Sequence, residues 1–358
     1  ATRHGIAQVG ALAQELGDTF ATRCEGELAR ADRALRRAIA RISNDGKTRT
    51  PRVAERFLDD GSPIRVSIEA RNDPSRATCL RISFAGSAPV HPRNFNAPLA
   101  VTRAATLYAL RLLIDEPVPM NEGLLRAVEL DVPHSMLHPT FVADPRACPP
   151  VVAGNVETSQ SVVAALLDAL GIAAESQSTM NNTLFGNARS TIYETLGGGA
   201  GAGPGVDGAS AVHVHMSNTR LTDIDVLERR APVVVRRFEV RKGSGGLSDT
   251  RGVNDTRGIN DTRGGDGLVR SYEFREPISL SFFGSRRKHA PRGMVGSDTD
   301  AARADQHATD ADGAAGFQCV QINGVTQELR DAVLSLELNA GDIFTVETPG
   351  GGGWRAAP

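Results

Sequence analysis

The chain has 358 residues, of which 40% are hydrophobic, 23% charged and only 4% aromatic, a balance that excludes a disordered, collagenous or coiled-coil protein and fits about two domains. Lys and Arg number 40 against 42 Asp and Glu, a net charge of −2, so no global field draws the chain to nucleic acid or an anionic membrane. No apolar run reaches the ~18 residues of a membrane span, and Ala1-Thr2-Arg3 opens no basic, apolar leader; the expectation is a cytoplasmic protein that engages neither membrane nor nucleic acid.

From the N-terminus, Ile6, Val9, Leu12, Leu16 and Phe20 recur at helical spacing. Helix is expected over His4–Ser43, stopped by Asn44-Asp45-Gly46. The period then changes to two: Ile64, Val66, Ile68 and Ala70 read as one strand and Leu80, Ile82 and Phe84 as another, with turn chemistry at Asp59-Asp60-Gly61-Ser62-Pro63 just before them. Helix follows over Asn96–Ile114 and strand over Leu124–Val132. Pro133–Pro150 is irregular, and a boundary is placed there, between residues 1–145 and 146–358. A second strong helix runs from Asn155 to Leu170, ended by Gly171.

Beyond it the pattern is short and β-rich. Strands are expected at Val212–Met216, Val233–Val240, Leu268–Phe274, Ile278–Phe283, Phe317–Ile322, Val333–Leu338 and Ile343–Val346. Helices and strands first, then strands alone, predict an α+β fold whose C-terminal region is an antiparallel sandwich or barrel. Asp249-Thr-Arg-Gly recurs from Asp255 and Asp261, a hexad repeat read as an expanded loop over residues 247–264. Cys24, Cys79, Cys148 and Cys319 are scattered, with no CxxC pair, and suit free thiols better than a metal knuckle.

Five segments have side chains suited to chemistry. Gly154-Asn155-Val156-Glu157 opens a helix; Asn155 is either a plain cap or part of an N-terminus that presents N–H groups to a ligand. Ser176-Gln177-Ser178-Thr179-Met180-Asn181-Asn182-Thr183 has no charge and many amides and hydroxyls, which when buried must be hydrogen-bonded. Glu194 precedes a stretch, Thr195–Gly208, with seven glycines in 14 residues; without a GK[ST] lysine it is a poor phosphate loop, and Gly198 and Gly199 suit close backbone approach. In a strand, His213 and His215 would face one side, as a packed pair or as a pair offered to a metal or a developing charge. Arg220 either clamps a carboxylate or pairs with Asp223 or Asp225. Thr348-Pro349-Gly350-Gly351-Gly352-Gly353 is either a loose tail or a tightly packed one.

In order along the chain, Asp59-Asp60-Gly61-Ser62-Pro63-Ile64-Arg65, Phe95-Asn96-Ala97-Pro98-Leu99-Ala100-Val101-Thr102, Met120-Asn121-Glu122-Gly123, Ala153 to Gln160, Ser176 to Asn182, Tyr193-Glu194-Thr195 with its glycines, His213 to Arg220, Gly264-Gly265-Asp266-Gly267 and the Thr348–Gly353 tail resemble the hydantoinase B/oxoprolinase family. The resemblance implies a component of an ATP-dependent cyclic amidase of 5-oxoprolinase or hydantoinase type, which completes the opening of a phosphorylated lactam such as 5-oxoproline to glutamate. It implies catalytic roles for His213, His215, Glu194, Asn181 and Asn182, and substrate contacts from Asn155, Glu157, Gln177, Arg220, Gly198 and Gly199. ATP is expected to be used by a hydantoinase A-like ATPase part, without which the chain is expected to be inactive. The family's Asp/His-rich N-terminal half of the B region is expected to lie outside this chain, and with it the ligands of any divalent metal. A homo- or hetero-oligomer is implied. Two other readings stand beside this one: a ketone carboxylase subunit, and a non-catalytic assembly module lacking the metal-binding half. The common premise is that these distant loops converge on one pocket.

Overall fold

The computed structural model describes residues 2–44, 51–73, 77–247, 260–296 and 309–356. The chain divides into two compact units. Most of the hexad repeat, from Asp249 to Gly258, and Asp45-Gly46 of the expected helix stop lie outside the described residues.

The first unit takes residues 1–51, 68–82 and 107–131. Two helices, α1 (Thr2–Leu16) and α2 (Thr19–Asn44), stand where the periodicity predicts one. Gly17 separates them with φ +52, a left-handed turn that glycine adopts without strain. Along α2, Ala31, Ala34, Leu35, Ala38 and Ile39 are buried at three- and four-residue spacing. Against this helix lies a 3₁₀ turn, Glu122–Ala127. A Cβ on Gly123 would stand 2.1 Å from the Leu28 carbonyl oxygen, so only glycine fits. The expected strand over Leu124–Val132 is therefore half turn; only Val128–Asp131 is extended, as β4.

The second unit takes residues 52–67, 83–106 and 132–358. The chain passes between units within β2 (Pro63–Asp73), β3 (Ala77–Ser83) and α3 (Leu99–Arg111); β1 (Arg52–Phe57) belongs to the second unit and β4 to the first. Helix α4 (Ser159–Leu170) is apolar nearly all round and buried on nearly every side. Gly171, at φ +68, closes it with its N–H bonded back to Leu167 and Asp168.

The rest of this unit is the expected β-rich region, and the fold is α+β. One antiparallel sheet runs β13-β9-β5-β6 and another β12-β11-β14-β8-β7. The strands are β5 (Asn182–Gly186), β6 (Thr191–Glu194), β7 (Val233–Arg241), β8 (Gly267–Phe274), β9 (Ile278–Phe283), β11 (Phe317–Ile322), β12 (Val325–Leu329), β13 (Val333–Leu338) and β14 (Ile343–Glu347). Phe185, Leu280, Phe282 and Leu338 from the first sheet share one core with Leu268, Tyr272, Phe274, Val320 and Phe344 from the second; this is a sandwich. A seven-residue helix, α5 (Ile224–Arg230), and a short parallel pair, β10 (Met294–Val295) with β15 (Trp354–Arg355), complete the described elements.

Beside the sandwich, glycine-rich segments pack backbone to backbone. The Gly199 N–H donates to Pro349 O, Gly351 to Gly265, Gly265 to Ala200, Ala202 to Gly352 and Gly246 to Gly351, all at 2.8–3.0 Å. A Cβ on Gly199 would meet Gly265 O at 2.0 Å and Gly351 N at 2.1 Å. The two glycine-rich stretches are thus one interior, held by main-chain hydrogen bonds in place of side-chain packing. The Thr348–Gly353 segment is its closing piece rather than a loose tail.

Candidate functional site

Glu157 is the organising residue. The helix leading into α4 widens to a π turn over Gly154–Thr158, a local expansion that recurs at functional sites. The turn points Glu157 inward, with none of its surface exposed. One carboxylate oxygen accepts the Met180 N–H at 3.1 Å and the Asn182 amide at 3.0 Å, and the other accepts the Ser285 hydroxyl at 2.8 Å. Burial pushes its carboxyl up to about 7, against hydrogen bonds from Thr179, Ser285 and Met180 and the charge of Arg287, which pull it down. A buried, hydrogen-bonded carboxyl near neutrality can hold or release a proton at physiological pH.

The amide-rich run wraps this carboxylate. Ser178 and Asn181 both take φ +46, conformations that Asn tolerates and Ser rarely adopts. They turn the chain so that Asn182 donates to Glu157 and to Phe283 O (2.8 Å) while its own oxygen accepts the Tyr193 hydroxyl at 2.6 Å. Asn181 donates to Gln177 at 2.9 Å and accepts from the Arg287 guanidinium at 2.7 Å. Burial lowers Arg287 to about 10, although Glu157 and Asp59 hold it up. Gln177 donates its backbone N–H to Gly199 O at 2.8 Å, and a Cβ on Gly198 would strike the Gln177 amide oxygen at 2.1 Å. Glu157, Gln177, Asn181, Asn182, Gly198 and Gly199 therefore form one connected assembly.

The other sequence-predicted residues sit elsewhere. Glu194 and Tyr193 occupy opposite faces of β6: Tyr193 turns toward Asn182, whereas Glu194 turns into the sandwich. There Glu194 accepts the Tyr272 hydroxyl at 2.7 Å and pairs with Arg270 at 3.4 Å. Val212–Met216 is not the expected strand. Val212 makes a single bridge to Gly198, and Ala211 (φ +53) and His215 (φ +51) are left-handed, so His213 and His215 do not share a strand face. Burial lowers both imidazoles, His215 to about 4 with Glu175 opposing, so both are neutral at pH 7. His213 Nδ1 lies 3.2 Å from Ser217 Oγ, and its Nε2 is buried without a hydrogen-bond partner among the described residues. The Gln160 amide ties this segment to α4 through Val214 O at 3.2 Å. Asn155 lies inside the π turn, exposed, and does not cap it. Arg220 is exposed.

Ser285 links the assembly to a cavity of about 290 Å³ lined by Asp59, Asp60, Arg93, Phe95, Ser285 and Lys288 among others. None of the sequence-predicted residues lines it; Glu157 reaches it only through the Ser285 hydroxyl. One wall is the 91–96 loop, pinned by Asn96, which accepts the His91 N–H at 2.7 Å and donates to the His91 and Pro150 carbonyls. Thr158, next to Glu157, donates to Phe95 O at 2.6 Å. The opposite wall is the Gly284–Lys288 turn, anchored on Asp59. Ser285, Arg287, His91 and Tyr193 escaped the sequence reading as site residues, although Asp59-Asp60 and Phe95-Asn96 lie in the blocks quoted for the resemblance. Among the described residues no three His, Cys, Asp or Glu side chains are placed to hold a metal ion, and no helix is long and apolar enough to cross a membrane.

The family model described as hydantoinase B/oxoprolinase matches residues 1–356. The chain is 36% identical over 369 residues to 5-oxoprolinase 1 of Arabidopsis thaliana, covering 99% of this chain and 26% of that protein. It is 32% identical to 5-oxoprolinase of Saccharomyces cerevisiae, with 99% and 26% covered. The chain thus spans about a quarter of the length of these relatives. Among solved structures it resembles the ATP-dependent caprolactamase from Pseudomonas jessenii, with a TM-score of 0.69 at 18% identity over 99% of this chain and 58% of that one. It also resembles acetone carboxylase, with a TM-score of 0.67 at 14% identity over 92% and 47%.

Proposed function

The chain belongs to the hydantoinase B/oxoprolinase family, and from that premise we propose that it is the ring-opening part of an ATP-dependent cyclic amidase of 5-oxoprolinase type. The observation that carries the reading is the buried Glu157 carboxyl, held near neutrality and hydrogen-bonded to a serine that faces a cavity. The 5-oxoprolinase relatives, aligned over nearly the whole chain, supply the reaction class.

A lactam carbonyl is a poor electrophile. In the proposed sequence a hydantoinase A-like part spends ATP to phosphorylate the lactam oxygen. Water then adds to the ring carbon and gives its proton, through Ser285, to Glu157. The ring C–N bond breaks as the nitrogen takes up a proton, leaving an acyl phosphate that a second water converts to carboxylate and phosphate. Asn181 and Asn182 hold the geometry around Glu157.

The test is ATP-dependent release of glutamate from 5-oxoproline by the full-length protein together with its ATPase part. Release that falls by at least a hundredfold in Glu157→Gln supports the reading. Full activity in that variant removes Glu157 from the mechanism. Bicarbonate-dependent consumption of acetone without amide opening would assign a carboxylase instead, and absence of both with stable binding to the ATPase part would assign an assembly module.

A further inference from the structure

The cavity in front of Ser285 has a charge balance that ring opening alone does not use. Its carboxylates are largely engaged. Asp59 accepts the backbone N–H groups of Arg287 and Lys288 at 3.0 Å each and of His289 at 3.4 Å. Asp60 takes the His91 ring nitrogen at 2.6 Å and the Ser62 N–H at 3.0 Å. Burial would raise the Asp60 carboxyl, but these hydrogen bonds hold it below the usual aspartate range. A third carboxylate, Asp331, is exposed among the lining residues. The cations are differently placed. Arg93 and Lys288 line the cavity with exposed side chains, and no ion pair engages the Arg93 guanidinium among the described residues. An Arg and a Lys lining one concave site are suited to a carboxylate.

The remaining walls fit a small ring. Phe95, only 7% exposed, has the His91 and Phe283 ring centroids each 5.2 Å from its own, contacts that hold an apolar ring in the cavity lining. The floor is the Ser285 hydroxyl, 2% exposed. At about 290 Å³, the cavity is at the lower end of the range for small-molecule sites. Its walls come from the Leu58–Asp60 turn, the Asn96-pinned loop and the 284–288 turn, so its shape is held before any ligand arrives.

The geometry points to this cavity as the binding site of a small carboxylate-bearing lactam and of the amino acid it opens to, with Arg93 and Lys288 reading the carboxylate, Phe95 the ring and Ser285 the amide end. The ammonium group freed by ring opening suits Asp331. This assignment rests on the cyclic amidase reading for the identity of the ligand, and it adds selectivity for acids over neutral lactams.

Calorimetric titration of the full-length protein with 5-oxoproline, glutamate and the uncharged 2-pyrrolidone tests it, on the native protein and on the double variant Arg93→Gln, Lys288→Gln. Both substituted side chains are exposed, so the unfolding temperature serves as the folding control. The expected result is a loss of at least about tenfold in affinity for both acids, with 2-pyrrolidone binding unchanged. Unaltered acid binding, an equal loss for 2-pyrrolidone, or no acid binding by the native protein overturns the assignment. Turnover is followed in parallel. Lactam opening with unaltered acid binding in the variant sinks this site alone; charge-selective binding without ATP-dependent opening sinks the reaction and leaves the site.

Discussion

Replacing Glu157 by Gln should make the protein more stable and less active, and the gain should grow with pH. An ordinary glutamate titrates at 4.5, whereas Glu157 in the folded chain titrates at about 7. A carboxyl raised on folding contributes its full stability below the unfolded value, and that contribution drains away as pH rises to the folded value. At about 1.4 kcal/mol per pH unit, the native protein gives up about 3 kcal/mol between pH 4.5 and pH 8. Gln has no proton to lose. Its amide oxygen can accept from Met180 and Asn182, as the carboxylate oxygen does, and its amide nitrogen can donate to a reoriented Ser285 hydroxyl. Urea unfolding of both forms at pH 5 and pH 8 measures the difference: the variant should lead by about 1 kcal/mol at pH 5 and about 3 kcal/mol at pH 8. A variant that loses ground between pH 5 and pH 8 would show that Glu157 is a stably ionised structural residue, and the argument for its role as proton acceptor would fail with it.

Glu194→Gln, the same change in chemistry, should act in the opposite direction. It leaves the fully buried Arg270 without its carboxylate, at a cost of about 3–5 kcal/mol seen in the urea midpoint. Gly199→Ala, which places a methyl 2.0 Å from Gly265 O, should cost more than about 3 kcal/mol and show as lost folded yield; Gly205→Ala, at φ +71 in open space, should cost only about 1–2 kcal/mol in a melting experiment. Tyr193→Phe removes the hydroxyl 2.6 Å from Asn182; turnover should fall, with a stability change of about 1 kcal/mol by thermal unfolding.

Six of the nine sandwich strands (β7, β8, β9, β11, β13 and β14) were legible from their apolar patterning, whereas β6 and β12 were not: β6 has only four residues and β12 is exposed along nearly its whole length. Ile278–Phe283 alternates buried and exposed positions along its length, as its sequence alternates. β5 was not legible, because it opens with Asn182 and Thr183, which are buried by hydrogen bonding rather than by apolarity. Val-His-Val-His at 212–215 carried a period of two without a strand, since left-handed residues at Ala211 and His215 break the ribbon, and no local pattern announces them. The amide run stood out by its lack of charge, and it does enclose a carboxylate. Its partners Ser285 and Arg287 lie more than a hundred residues further on, single polar residues in a turn whose position is set by the sandwich. Sequence periodicity reports faces of elements; it does not report which loop ends meet.

The bundle of glycine-rich segments also constrains the order of assembly. Gly350 to Gly353 donate their N–H groups to Ala314, Gly265, Glu175 and Ala311, residues that leave the ribosome earlier. Until the closing segment arrives, those carbonyls and the neighbouring glycines have only water to bond, with almost no apolar surface to hold them together. This part of the protein must therefore wait for residues near 350 before it sets, and the contact of Gln177 with Gly198 and Gly199 sets with it.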